Sequence, residues 1–195
     1  MPRPKSAEVD AAAGSLHFDR DGRDRILRAQ QWLPVSRERL WAFVSSLHHM
    51  NHVIPPFIRF EVTTPHPKPL APGVTYDYRL RLRGLAVRWR TLITQVDEPR
   101  SFADTQARGP YRSFLHEHFF EDETRDQVAG TMTRDVITYR PPGGPLAGLA
   151  DLVVRRDLRL LFEHRHRRLA ELYRGGGNPV ASLLGTGASE AAAAS

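Results

Sequence analysis

The chain has 195 residues, of which 41% are hydrophobic and 26% charged, a balance typical of one globular domain. It contains no cysteine, which excludes disulfides, cysteine-ligated zinc and thiol nucleophiles and fits a cytoplasmic protein. No apolar run is long enough to span a bilayer, and the N-terminus has no apolar core of a signal peptide.

The formal net charge of +6 is carried mainly by arginine. A basic balance raises the question of a nucleic-acid or acidic partner, and Arg155, Arg156 and Arg159 on one predicted helix are the candidates for such a contact. The arginines are nevertheless spread along the chain and mixed with acids. This pattern favours a solvated surface, and we expect no nucleic-acid partner.

The two ends of the chain are predicted to be disordered. Residues 1–22 form a small, charged arm without periodicity, and residues 175–195 form a low-complexity tail. The folded domain is therefore predicted over residues 23–174.

The folded part begins with a predicted strand at Ile26–Pro34, followed by short helices. Ser36 is a suitable N-cap, and apolar residues recur at helical spacing up to Leu47. The histidine-rich segment HHMNH at 48–52 follows, and Pro55-Pro56 prevent further helix. This segment is interpreted as a connection near a pocket mouth, with a metal site or a mobile lid as alternatives.

Alternating apolar residues predict an unbroken run of strands after this point. They are Phe57–Thr63, Val74–Arg83, Ala86–Val96, two strands within Phe102–Glu121 that join at Arg108-Gly109-Pro110, and Val128–Arg140. The period then becomes helical from about Leu146 to Tyr173. Consecutive strands joined by short turns imply an antiparallel sheet with this helix laid on it, an α+β fold.

The central pair of strands places aromatic and titratable groups on the same face. Phe114, His116, His118 and Phe120 share one face of their strand by alternation. Phe102, Asp104 and Gln106 share a face of the preceding strand. Such a mixture is costly in a plain core but suits a mostly apolar ligand cavity with a few polar anchors.

A family resemblance follows from a series of segments spread over residues 26–173. They are Leu40-Trp41-Ala42-Phe43, Arg88-Trp89, Phe102-x-Asp104-x-Gln106, Gly109-Pro110-Tyr111, Phe114-x-His116-x-His118-x-Phe120, Gly130-Thr131, Asp135-Val136-x-x-Tyr139-x-Pro141 and Phe162-x-x-Arg165. With them the chain resembles the SRPBCC superfamily of helix-grip proteins, which includes START, Bet v 1-like and polyketide cyclase/dehydratase proteins, and within it a bacterial single-domain group. The sequence departs from the expected pattern at Phe114, where a tryptophan is expected.

The resemblance implies a curved seven-stranded antiparallel sheet wrapped on a long C-terminal helix, with two short helices after the first strand. It also implies a hydrophobic ligand between sheet and helix and no metal or other cofactor. It does not imply one reaction, because fold alone does not define chemistry.

The expected ligand-binding residues combine an apolar wall with polar anchors. They are Trp41, Trp89, Asp104, Gln106, Phe114, His116, His118, Phe120, Ile137, Tyr139 and Arg165.

The histidine pair leaves three roles open. His116 and His118 can orient a ligand through hydrogen bonds, transfer protons, or ligate a metal together with Asp104, Asp135 or His52. Catalytic candidates are therefore His116, His118, Asp104 and Asp135, of which the two aspartates could also share a raised pKa.

Arg165 is the one charge within the apolar stripe of the long helix. Because a buried guanidinium without a counter-charge is very costly, we expect it to pair with Asp135 or with Asp104.

Binding or carriage of a small hydrophobic molecule is the favoured function, in a monomer or a homodimer. The alternative is a cyclase/dehydratase-like or isomerase-like enzyme that uses the histidine and aspartate groups, and a protein-interaction module is a third class.

Overall fold

Eight strands and two α-helices form the described part of the chain, which in this computed structural model is residues 14–142 and 147–174. The strands are β1 (Ser15–Asp21), β2 (Asp24–Leu33), β3 (Arg59–Val62), β4 (Thr75–Leu82), β5 (Leu85–Asp97), β6 (Ser101–Arg108), β7 (Ser113–Arg125) and β8 (Val128–Arg140). The helices are α1 (Arg37–Val44) and α2 (Ala147–Leu172), and a 3₁₀ helix covers Leu47–His52.

All eight strands belong to one sheet in the order β1-β2-β8-β7-β6-β5-β4-β3, and each pair of neighbours is antiparallel. Consecutive strands are neighbours except where β2 pairs with β8. The pairing of β2 with β8 brings the second and the last strand of the chain together, and β1 and β3 are the two edge strands. The predicted α+β helix-grip fold is confirmed, but the sheet has eight strands rather than seven.

The additional strand corrects the prediction that residues 1–22 form a disordered arm. Residues 15–21 pair with β2 across a turn in which Gly22 adopts a φ of 54°. Leu16 and Phe18 pack against the core from the inner face of this edge strand. The guanidinium carbons of Arg155 and Arg159 lie 4.8 and 5.2 Å from the Phe18 ring centre. Two of the three arginines considered for an acidic partner therefore cover this strand. The rest of the predicted arm, residues 1–13, and the predicted tail from 175 lie outside the described residues.

Tight hairpins connect the central strands where the sequence predicted them. Arg83 and Gly84 at one turn, and Asp126 and Gln127 at another, all have positive φ values, as type I′ hairpins require. Ser36 occupies the N-cap position of α1 in an extended conformation, but its side chain makes no capping hydrogen bond. The N-cap prediction is therefore correct in position and wrong in mechanism.

The sheet curves around α2. Register shifts in the β5–β6 pairing between Arg90 and Thr91 and between Ile93 and Gln95 mark irregularities of the kind that bend a sheet. Helix α2 buries Leu158, Phe162 and Leu169. The curved sheet and the helix thus enclose the interior from opposite sides. Of the described helices, none combines the length and the apolar character needed to cross a membrane.

Candidate functional site

A cavity of about 300 Å³ lies between the sheet, α2 and the segment that follows α1. Its wall is mainly aromatic and aliphatic, and only a few polar groups reach it. The apolar lining includes Met50, Val53, Ile54, Ile58, Phe60, Tyr76, Tyr78, Leu80, Trp89, Ile93, Phe102, Phe114, Ile137, Leu158, Leu161 and Phe162. The polar lining includes Ser45, Ser46, His49, Thr91, Asp104, His116, His118, Asp157 and Arg165.

Seven of the predicted ligand-binding residues lie on this lining. They are Trp89, Asp104, Phe114, His116, His118, Ile137 and Arg165. The alternation argument therefore placed the correct strand faces inward.

Four others lie elsewhere: Trp41, Gln106, Phe120 and Tyr139. Trp41 and Phe120 pack edge to face at 5.8 Å in the hydrophobic cluster beyond the cavity, and Tyr139 is buried at 1% exposure. The amide of Gln106 instead holds the β6–β7 turn, where its Nε2 donates to the carbonyl of Tyr111 at 2.9 Å. These four residues support the fold around the cavity and do not form its surface.

The titratable groups form one cluster because of the strand register. Asp104 on β6 pairs with His116 on β7, and His118 on β7 pairs with Asp135 on β8. Since side chains at these positions point to the same face, each histidine also reaches the diagonal carboxylate. Nε2 of His116 lies 3.0 Å from Oδ1 of Asp135, and Nε2 of His118 lies 3.3 Å from Oδ2 of Asp104.

Asp135 is the centre of the cluster. Its Oδ1 contacts Nε2 of His116, Nδ1 of His118 at 2.7 Å, and Nη1 of Arg165 at 3.4 Å. The last two contacts are ion pairs without hydrogen-bond geometry. The predicted pairing of Arg165 with a carboxylate is confirmed, and the partner is Asp135.

The surroundings of each group shift its pKa in a definite direction. Burial opposes the charged form of Asp135, but Arg165 and the two histidines outweigh it and hold the pKa of this carboxyl well below its usual range. Burial would likewise lower the pKa of His118, yet its contacts with the carboxylates of Asp104 and Asp135 raise it. For His116, burial and the neighbouring His118 prevail and lower its pKa. The cluster therefore favours a charged His118 and a neutral His116.

A neutral His116 has one ring nitrogen available. Its Nε2–H donates to Asp135, and no hydrogen bond among the described residues uses its Nδ1. Because His116 lines the cavity, this nitrogen can accept a proton or a hydrogen bond from a bound molecule.

The residues of this cluster also include the candidates for a metal site. Single donor atoms of Asp104, His116 and His118 all lie within 4.8 Å of one another, a grouping that a transition metal could bridge. A cation there would compete with the charge of Arg165 and with the ion pairs of His118. The absence of a metal stays a prediction. His52 does not belong to this grouping.

The HHMNH segment borders the cavity. The His49 ring stacks on Phe43 at 4.8 Å, and the carbonyl of His52 accepts a hydrogen bond from Nε of Arg168 at 3.2 Å. His48 lines a separate groove of about 640 Å³ beside α1. Ser45, Ser46, Leu47, Leu70 and Tyr76 line both the groove and the cavity, so the segment lies between the two spaces.

Some residues of the site and its surroundings were not anticipated. Met50, Val53 and Ile54 come from a segment interpreted as a connection, and no periodic pattern marks them. His166 is buried at 5% exposure beside Phe162, four residues earlier on α2. That helical spacing could have identified it, because it falls on the buried stripe.

Comparisons with known proteins agree with this fold. A crystal structure of protein Ms6760 from Mycobacterium smegmatis is similar with a TM-score of 0.62 at 19% identity, covering 83% of this chain and 96% of that one. TTHA0849 from Thermus thermophilus gives a TM-score of 0.59 at 17% identity, covering 80% and 98%. Ara h 8.0201 gives 0.52 at 15% identity, covering 75% and 97%. At these identities the likenesses show the fold alone.

No curated protein gives a significant match to the sequence. A family model described as "Domain of unknown function (DUF8410)" matches residues 31–173, which include the end of β2, all of β3 to β8 and the polar residues of the cavity. The chain therefore belongs to the DUF8410 family.

Proposed function

We propose that this protein binds and carries a small hydrophobic molecule, such as a lipid, a polyketide or an aromatic metabolite, in the cavity between the sheet and α2. The observation that supports this most directly is the cavity itself. A space of about 300 Å³ is bounded mainly by rings and aliphatic side chains, and four of its polar residues, Asp104, His116, His118 and Arg165, belong to one cluster. Pockets that bind small molecules have this composition.

The energetics agree with reversible binding. Burial of apolar surface yields about 25 cal/mol per Å², so a few hundred Å² can offset the cost of association and give affinities of about micromolar. The Trp89 and Phe114 rings, which meet edge to face at 5.0 Å on the lining, would contribute a preformed apolar surface. A carrier of this kind needs no catalytic group.

The test combines mass spectrometry with a variant that fills the cavity. Native mass spectrometry of the freshly purified protein should detect a bound molecule, and the neutral probe N-phenyl-1-naphthylamine should bind with increased fluorescence. Leu161→Trp places an indole in the cavity and should abolish both signals. Leu160→Trp, on the exposed side of the same helix, is the matched control and should leave both unchanged. Probe binding that is equal in the two variants would contradict the proposal.

We also infer that the DUF8410 chain is related to the SRPBCC superfamily. The helix-grip fold supports this relationship. So do six residues of the resembling segments on β5 to β7 and α2 that line one cavity: Trp89, Asp104, Phe114, His116, His118 and Arg165. Phe114 stands where a tryptophan was expected and lines the cavity, which leaves extra space there.

An enzymatic function is the second candidate, and the His116–Asp135 contact favours it. Nδ1 of His116 would accept a proton from a carbon next to a substrate carbonyl, and the electron pair of the C–H bond would move into the carbonyl to form an enolate. Arg165 would donate a hydrogen bond to the enolate oxygen. In a β,γ-unsaturated ketone the enolate extends over the neighbouring double bond, so the imidazolium would return the proton to the γ-carbon, which completes a double-bond isomerisation without any further reactant.

Deuterium exchange separates the two functions. An enzyme of this kind would exchange the proton next to the carbonyl of a bound ketone with solvent D₂O, as followed by proton NMR. His116→Ala should stop the exchange and preserve binding. A protein that binds ketones without exchange is a carrier.

A further inference from the structure

We infer that the natural ligand is an amphiphile with an apolar body and one terminal carboxylate, and that Arg165 receives this carboxylate. The inference rests on the proposed ligand-binding function and specifies its ligand class. It comes from the way the charged groups of the cavity are already paired.

Arg165 has donor capacity that the protein does not use. Its guanidinium lies 3.4 Å from Asp135 without hydrogen-bond geometry and 5.7 Å from the Phe162 ring centre. Among the described residues no hydrogen bond uses its N–H groups, although the side chain is only 18% exposed and lines the cavity. The unused donors of this partly buried guanidinium therefore favour a ligand that supplies acceptor oxygens.

The neighbouring polar groups are already engaged. His118 hydrogen-bonds Asp104 through Nε2, and its Nδ1 lies only 2.7 Å from Asp135, which leaves no room for a ligand atom between them, unlike the 3.4 Å contact of Arg165. Asp135 is surrounded by three nitrogen donors. This leaves Arg165 and Nδ1 of His116 as the donor and the proton acceptor that face the cavity beside the same carboxylate.

The planar guanidinium fork matches a carboxylate. Two parallel N–H groups of arginine bind both oxygens of a carboxylate, whereas an ester or an alcohol offers a weaker, uncharged acceptor. Most of the remaining lining is apolar, and two of its other polar side chains, Thr91 and Asp157, are already paired with Trp89 and Arg83, so the cavity favours a ligand with one polar end. The chemical class is therefore a monocarboxylic acid with a compact hydrocarbon or aromatic body.

The charge balance of the cluster also predicts that the protein takes up a proton when it binds the ligand. With His118 protonated, Arg165 and His118 balance Asp104 and Asp135, and Arg83 balances Asp157, which also lines the cavity, so a carboxylate would add an unbalanced charge in a poorly solvated space. Protonation of His116 at Nδ1 removes this imbalance and provides a second donor to the ligand. We therefore expect uptake of about one proton for each carboxylate bound near neutral pH, in keeping with the linkage between charge and binding.

The experiment compares three ligands that have the same ten-carbon hydrocarbon chain: decanoate, methyl decanoate and decanol. The affinity of each is measured by its displacement of N-phenyl-1-naphthylamine from the wild-type protein. Decanoate should bind about 10–100-fold more tightly than its ester, the range expected for hydrogen bonds to a charged group. Calorimetry of decanoate in phosphate and in Tris at equal pH should give heats that differ by the ionisation heat of about one proton.

Variants assign the difference to Arg165. Arg165→Met should weaken decanoate to the affinity of the ester and leave the ester unchanged, and Arg165→Lys should fall between wild type and Arg165→Met. Arg167→Met, an exposed change on the same helix, is the matched control and should behave as wild type. The acid–ester comparison in the wild-type protein does not depend on the folding of any variant.

The outcomes separate the two proposals. If the ester binds as tightly as decanoate, the carboxylate inference is wrong and the carrier function stands. The same conclusion follows if the probe binds but none of the three ligands displaces it. If neither the probe nor any of the three ligands binds, the carrier function itself is wrong.

Discussion

Two histidines of this protein are about equally buried and have opposite surroundings. His118, at 6% exposure, lies between the carboxylates of Asp104 and Asp135. His166, at 5% exposure, lies between α2 and the sheet, and its Nε2 has no hydrogen-bond partner among the described residues. The carboxylates raise the pKa of His118 despite its burial, whereas burial lowers the pKa of His166 to about 4.

The comparison shows that partners rather than depth decide the charge of a buried imidazole. His118 belongs to the polar cluster of the cavity, where a positive charge is balanced. His166 serves packing: its ring lies so close to Gly14 that a Cβ at that position would be 2.0 Å from Nδ1. One histidine is therefore suited to ligand chemistry and the other to joining α2 to the start of β1.

Removal of the carboxylate that distinguishes these environments should have the largest effect. Asp135→Asn keeps the shape of the side chain but leaves Arg165 and His118 without their common counter-charge, so we expect a loss of about 3–5 kcal/mol in the free energy of unfolding. Urea denaturation followed by circular dichroism measures it. Asp97→Asn, which breaks an exposed ion pair with Arg100, is the control and should cost about 0–1 kcal/mol. Equal losses in the two variants would show that Asp135 does not neutralise a buried cluster.

The second prediction concerns the response of His166 to acid. An unfolded chain protonates His166 near its ordinary pKa of 6.5, but the folded protein does so only at about 4. Between these values the unfolded state binds more protons, so the free energy of unfolding falls as pH decreases, by at most about 1.4 kcal/mol per pH unit from this group.

His166→Phe should make this pH dependence shallower, as seen in urea denaturation repeated from pH 7 to pH 4. Some slope will remain, because the lowered pKa of His116 acts in the same direction. The raised pKa of His118 acts in the opposite sense, since its stabilisation is complete below pH 6.5 and is lost as pH rises through the folded-state pKa. A slope unchanged by His166→Phe would mean that the imidazole is already solvated in the folded protein.

Two features of the site could be predicted from the sequence because they depend on local geometry or on a large energy. Alternation along a strand fixes which side chains share a face, so His116 and His118 could be grouped from the sequence, and the predicted turn at Arg108-Gly109-Pro110 brought Asp104 onto the neighbouring strand. The cost of a buried charge was sufficient to predict a carboxylate partner for Arg165. Both arguments depend on local geometry or on a large energy, and neither requires knowledge of how distant segments pack.

Other features depend on packing that local patterns do not record. Trp41, Gln106, Phe120 and Tyr139 were assigned to the cavity, but the position of α2 along the sheet decides which part of the inner face stays open. Strand β1 contributes little apolar alternation beyond Leu16 and Phe18, because an edge strand buries one face against one neighbour. The Asp21-Gly22 pair was its one recognisable hairpin signal.

The smallest predicted effect concerns Phe102, whose ring covers the imidazole of His118. Phe102 stacks on this imidazole with centroids 3.9 Å apart and planes inclined by 16°, an arrangement that favours the protonated form through cation–π attraction. Phe102→Leu should therefore lower the pKa of His118 by less than one unit, the equivalent of about 0.5–1 kcal/mol. Two-dimensional NMR of the histidine side chains measures this shift, and His166, whose ring contact is with Phe162, is the internal reference. A pKa of His118 that stays constant in Phe102→Leu would assign the whole elevation to Asp104 and Asp135, and the carboxylates would then be the entire difference between the two histidines.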